Sequence, residues 1–217
     1  TAANTLADED VLGTITYTWS NGDTGSTTTL GQSDVGSGIT VTATYTDGQG
    51  TGESASSAAT GAVVNVNDAP SGSVTISGTA TEDQTLTAVT GTIADEDGLG
   101  SFSYQWKRAG SAVSGATSST YALTQADVGS AITVTATYTD GQGGAESVSS
   151  VATGSVVNVN DAPSGSVTIS GTATEDQTLT AVTGTIADED GLGSFSYQWK
   201  RAGSAVSGAT SSTYALT

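Results

Sequence analysis

A chain of 217 residues suffices for one or two domains. Its 22 acidic residues against 4 basic ones give a formal net charge of −18, which excludes nucleic acid as a partner and disfavours an anionic membrane surface. The absence of Cys, His and Met excludes disulfides, thiolate chemistry and imidazole-ligated metals.

Low hydrophobicity with high net charge is also a signature of disorder. Here, however, the apolar residues stand in strict alternation, which a disordered tract does not need. No run of 18 apolar residues is present, so direct membrane insertion through a helix is not expected. The Thr-Ala-Ala-Asn start is not a signal peptide, and an export signal is expected outside these residues.

An internal repeat organises the chain. Asn67 to Thr124 recurs residue for residue from Asn160 to Thr217, a period of 93 over a block of 58. The N-terminal portion is a diverged copy. Its Ala7-Asp-Glu-Asp10 matches Ala94 to Asp97 at an offset of 87, and its Thr46 to Gly50 matches Thr139 to Gly143 at 93. Six residues are therefore missing around Asn21 to Thr29, a deletion that a surface loop tolerates. The phase gives three parts: 1–66, a truncated repeat without its start; 67–159, a complete repeat; and 160–217, a truncated repeat without its end. Truncated repeats are expected to expose strand edges and half a core. A period of this length suits separate sandwiches rather than a solenoid.

Within the complete repeat the predicted strands follow in order, punctuated by Gly, Asp and Ser. Pro70 opens the repeat at the junction. Val74 and Ile76 alternate with Ser73 and Thr75; Leu86 and Ala88 alternate with Thr85 and Thr87. Phe102, Tyr104 and Trp106 share one face, with Trp106 as the expected core anchor. Lys107 and Arg108, like Lys200 and Arg201, read as solvated strand ends. Tyr121 and Leu123 continue the pattern. Ile132, Val134, Ala136 and Tyr138 face inward, while Thr133, Thr135, Thr137 and Thr139 form an outward ladder. Val148, Val151, Val156, Val157 and Val159 close the repeat before Pro163. The expected fold is all-β, a string of antiparallel sandwiches with about seven strands per complete repeat.

Two of these stretches carry a resemblance. Tyr104-Gln-Trp-Lys107 looks like strand C of an immunoglobulin-type domain, and Ala126-Asp-Val-Gly129 resembles the turn into strand F. The Cys pair and the tyrosine corner of such domains are missing. Val64-Asn-Val-Asn-Asp-Ala-Pro70, repeated as Val157 to Pro163, is similar to the Asp-X-Asn-Asp linker of cadherin-type repeats, with Asn65 and Asn158 standing for the first Asp. As a whole the chain resembles the Ig-like and cadherin-like tandem repeats of large bacterial surface adhesins exported by type I secretion. That resemblance implies an extracellular location and a structural role between a cell and a binding tip.

It also implies where the acids lie. The A–B loop would carry Glu82 and Asp83, the B–C loop Asp95, Glu96 and Asp97, and the F–G loop Asp140, with Asp68 in the entering linker. Calcium, which takes carboxylate and carbonyl oxygens, is the expected ion. It is expected to bridge consecutive repeats through Glu82, Asp83, Asp161, Asp188, Glu189 and Asp190, or a subset of them. Solvated loop acids serving solubility are the alternative.

Catalysis is not expected. A nucleophile triad lacks its His, and paired loop carboxylates lack a cleft. Neighbouring repeats of the same chain are the expected partners. Multivalent weak contact with a glycan or cell surface remains an alternative, as does ice binding by the Thr ladder.

Overall fold

The computed structural model describes all 217 residues. It is all-β. The N-terminal part holds β1 (Thr16–Trp19), β2 (Val41–Thr46) and β3 (Gly52–Ser56), a sheet of order β1-β2-β3. The complete repeat holds seven strands: β4 (Thr75–Ser77), β5 (Thr85–Val89), β6 (Ser103–Arg108), β7 (Ser111–Ala112), β8 (Thr120–Ala122), β9 (Ile132–Thr139) and β10 (Ala145–Ser149). They form two sheets, β4-β5-β8 and β10-β9-β6-β7, an arrangement consistent with a β-sandwich. The last part holds β11 (Thr168–Ser170), β12 (Thr178–Val182), β13 (Lys200–Arg201), β14 (Ser204–Ala205) and β15 (Thr213–Ala215), in sheets β11-β12-β15 and β13-β14. Pairing is antiparallel at β1–β2, β2–β3, β5–β8, β6–β7, β9–β10, β11–β12, β12–β15 and β13–β14. The helical content is two 3-10 turns, Gln32–Asp34 and Gln125–Asp127. No helix is long and apolar enough to cross a membrane.

By Cα packing the chain falls into two compact units. One comprises Thr1–Thr75, Val89–Tyr104 and Thr135–Ser150; the other comprises Ile76–Ala88, Gln105–Val134 and Val151–Thr217. Each unit combines parts of two sequence repeats.

In the first unit, alternation along β9 buries Ala136 and Tyr138 while Thr137 and Thr139 stay exposed. Phe102 meets the Tyr138 ring edge-on at 5.1 Å. Gly100 passes so close to the Thr139 carbonyl oxygen that a Cβ would overlap it, and Gly13 repeats that approach at Thr46. In the second unit Trp106 is fully buried, its indole N–H donating to the Ser118 carbonyl at 2.9 Å. Leu86, Leu123, Ile132 and Val134 are buried with it. Tyr121 stacks on Trp106 with ring centroids 5.6 Å apart.

Of the valines that close the complete repeat, Val156 enters the core while Val151 and Val157 are exposed, at 88 % and 60 %. Val151 lies in the unpaired stretch after β10, where alternation no longer fixes a face. Arg108 is not a solvated strand end. Its Nε donates to Asp127 at 2.6 Å, and the carboxylate is wholly buried. Asp127 also accepts from the Tyr121 hydroxyl (2.8 and 3.0 Å), the Thr124 N–H (2.9 Å) and the Thr124 hydroxyl (3.1 Å). Burial, the largest single influence, pushes the Asp127 carboxyl upward; the Thr124 N–H, Arg108 and Tyr121 together outweigh it and hold it below the usual carboxylate range.

Candidate metal centre

The linker and loop acids of the second unit converge. Glu82, Asp161 and Glu189 each bring a carboxylate oxygen within 4.8 Å of the others. Glu82 sits on the turn between β4 and β5, Asp161 in the Val157–Pro163 linker, and Glu189 in the loop after β12. Three segments from two consecutive sequence repeats therefore meet.

Local bonding explains the convergence. Ala80 to Glu82 run beside Val157, with a parallel bridge from Thr81 to Val157. The Val157 N–H donates to the Ala80 carbonyl and the Glu82 N–H to the Val157 carbonyl, both at 2.9 Å. Asp83, with φ of 61°, turns the chain back into β5. The Glu82 side chain is buried; its Oε2 accepts the Val159 N–H at 3.1 Å. The hydrogen-bonding pattern turns the Gln125 amide nitrogen toward both Glu82 oxygens (3.0 and 2.7 Å) and toward Asn158 Oδ1 (3.1 Å). Across the linker, the Asp161 N–H donates to Asp190 at 2.8 Å and the Asn158 amide to Asp190 at 2.6 Å. The Asp161 N–H first, and the Asn158 amide with it, hold the Asp190 carboxyl below its usual range.

Of the six acids expected at this junction, the structure thus gathers Glu82, Asp161 and Glu189. Asp83 is exposed, Asp188 accepts the Asp190 N–H at 3.0 Å, and Asp190 is spent on orienting the linker. The cluster suits a hard cation. Calcium holds oxygens at about 2.3–2.6 Å, so two ligands of one ion lie at most about 5 Å apart. The spacing of the three carboxylates is close to what one such ion takes up. No basic side chain forms an ion pair with any of them; the one salt bridge in the structure is Arg108–Asp127.

In the first unit the corresponding loops behave differently. Asp97 is buried, and its oxygens accept the Asp68 N–H (2.7 Å) and the Gln32 amide (2.8 Å). Asp95 accepts the Asp97 N–H at 2.9 Å and the Tyr138 hydroxyl. Burial above all, and then this bond to Asp95, push the Tyr138 hydroxyl far above its ordinary value. Asp140 Oδ1 accepts the Gln142 and Gly144 N–H groups, both at 2.8 Å, while its Oδ2 is buried without a partner. Asp68 and Glu96 are exposed. Asp68, Asp95, Glu96, Asp97 and Asp140 are not drawn into a three-carboxylate cluster as Glu82, Asp161 and Glu189 are.

A second acidic cluster went unanticipated: Asp8, Asp10 and Asp47, again within 4.8 Å of one another. They are the diverged counterparts of Asp95, Asp97 and Asp140, so applying the offsets of 87 and 93 to those acids finds them in the sequence. Comparison with protein-family models, curated proteins and solved structures finds no match to this chain.

Proposed function

We propose that the chain is a structural extender. It would be a string of immunoglobulin-like repeats (1–66, 67–159 and 160–217) of a secreted bacterial surface adhesin, with calcium at Glu82, Asp161 and Glu189 stiffening the connection between consecutive repeats. The observation that carries this reading is the meeting of those carboxylates from two successive copies of one sequence unit. Repetition multiplies length rather than chemistry, which suits a spacer and not an enzyme. A linker that is hydrogen-bonded to loop acids and has three carboxylates beside it is poised to stiffen when a cation neutralises them. In this reading the neighbouring repeats of the chain are its partners, and the target of adhesion lies on other domains.

A glycan-binding role finds less support. Tyr121, the aromatic residue most suggestive of a sugar platform, stacks on Trp106 and donates its hydroxyl to Asp127. Small-angle scattering of the full chain, with chelator and with calcium at about 1 mM, the range of extracellular calcium modules, tests the proposal. The spacer reading expects the maximum dimension to settle at one reproducible value with calcium and to broaden without it. Identical scattering in both conditions would overturn it.

A further inference from the structure

The diverged copy differs from the complete repeat at the residue that faces its buried acid. In the complete repeat Arg108, two residues past Trp106, binds the buried Asp127 at 2.6 Å. In the N-terminal part the residue two past Trp19 is Asn21, and the counterpart acid is Asp34, also buried. The Asn21 amide donates to Thr28 Oγ1 at 2.9 Å and to Asp34 Oδ2 at 3.5 Å. Its Oδ1 accepts the Asp23 N–H at 3.2 Å, and the Thr28 hydroxyl donates to Asp23 at 2.6 Å. A guanidinium that keeps its charge at every working pH is thus replaced by an amide, a group that water can hydrolyse to an acid.

Asn21 is also followed by glycine, the single Asn-Gly pair in the chain. A peptide nitrogen attacking the side chain before it meets least hindrance when it belongs to glycine, which has no Cβ and accepts a bent backbone. Gly22 lies at φ 95° with nothing within 4 Å of a Cβ built there, and Asn21 is exposed to water. The equivalent Arg108 side chain is 33 % exposed in the complete repeat, so water reaches this position in a whole repeat too.

We propose that Asn21 is a site of spontaneous deamidation, and that the reaction works as a one-way latch on the turn after β1. The Gly22 nitrogen bonds to Asn21 Cγ, the Cγ–Nδ2 bond breaks, and ammonia leaves with the proton from Gly22, closing a cyclic imide. Water then opens either carbonyl of the ring, giving aspartate or, with a methylene moved into the main chain, isoaspartate. Nothing is oxidised or reduced, and water is the sole co-reactant. The closed turn restrains the reaction, because the Gly22 N–H donates to the Trp19 carbonyl at 2.9 Å and Asn21 Nδ2 is held by Thr28. Opening the turn frees both groups. The product then resists re-closure. Its carboxylate faces Asp34 with no proton to share, and the Thr28 hydroxyl has one proton for two acids, Asp23 and the new one. Like charges so close, one of them buried, repel. An opening that is caught by the reaction therefore becomes permanent. The later copies, with Arg108 and Arg201 at this position, carry no such latch. The proposal is independent of the spacer reading.

The test ages the full chain in mildly alkaline buffer and maps its peptides by mass spectrometry. Asn21 should convert ahead of Asn4, Asn65, Asn67, Asn158 and Asn160. Its conversion should accelerate in urea below the unfolding transition and in Thr28→Ala, which releases the amide, while Asn21→Gln should stay unconverted. The latch is read separately by amide exchange. Asn21→Asp should raise exchange over β1 by about tenfold or more, and that increase should largely vanish when Asp34→Asn is present, because a donor then faces the new acid. Asn21 is exposed, so these variants keep the fold. Conversion at Asn21 no faster than at the other asparagines, a rate indifferent to urea and Thr28→Ala, or the same exchange increase with Asp34 and with Asp34→Asn would each overturn the inference.

Discussion

Replacing Asp127 with alanine tests how the second unit is held. The wild-type carboxylate is fully buried and satisfies Arg108 at 2.6 Å, the Tyr121 hydroxyl, and both the N–H and the hydroxyl of Thr124. Removing it leaves a guanidinium, a phenol and a backbone N–H short of an acceptor together. Breaking a buried pair from one side costs about 3–5 kcal/mol. Asp34 occupies the same motif position in the diverged copy, but its neighbours are poorer: the Gly31 N–H at 3.0 Å and the Asn21 amide at 3.5 Å. Asp34→Ala should therefore cost about 1–2 kcal/mol, the scale of one or two ordinary hydrogen bonds. The assay is urea unfolding followed by Trp fluorescence, with amide exchange over β9 and β2 locating each loss. On the thermal scale, Asp127→Ala should lower the melting of its unit by about 12 °C or more. Equal losses in the two variants, or an Asp127→Ala cost below about 1 kcal/mol, would refute the reasoning.

Acid should act through the same network. The folded Asp127 carboxyl titrates below its ordinary value of 3.8, so its contribution is complete above that pH and disappears as pH falls through the folded value. The gap in melting temperature between wild type and Asp127→Asn should therefore narrow from pH 5 toward pH 2, as scanning calorimetry can show. At alkaline pH, Tyr138 should stay un-ionised past its ordinary value of 10 while the fold persists; this bond-held phenol then favours the folded state less as pH climbs, readable as late tyrosinate absorbance. Gly100→Ala should destabilise by about 1–3 kcal/mol, because a Cβ there overlaps the Thr139 carbonyl, and Gly13→Ala should do the same at Thr46; denaturant midpoints check both.

Much of the fold was legible because period-two alternation survives burial on one face. The run from Ile132 to Tyr138 predicts β9 and its inward residues, and the phase of Trp106 predicts its burial. The gathering of Glu82, Asp161 and Glu189 was an expectation of the immunoglobulin-type resemblance, which puts a turn, a linker and a loop at one junction; alternation and composition alone do not give it. What escaped depends on contacts far apart in sequence. Alternation cannot say that Arg108 reaches Asp127, since nothing in Lys107-Arg108 marks one of the pair as bound. Nor can a count of loop acids say that Asp97 and Glu82 each accept a linker N–H and a glutamine amide, while only Glu82 also lies within 4.8 Å of two further carboxylates, those of Asp161 and Glu189. Acid identity sets the available chemistry, and which carboxylates the fold places beside one another decides where it can be pooled.

The spacer account rests on one ion at one junction, and calorimetric titration of calcium into the full chain measures it directly. Wild type should show a saturable site that Glu189→Gln and Asp161→Asn each weaken about tenfold or more, with the fold intact because Glu189 is exposed. No binding heat, or equal affinity in wild type and both variants, would contradict it.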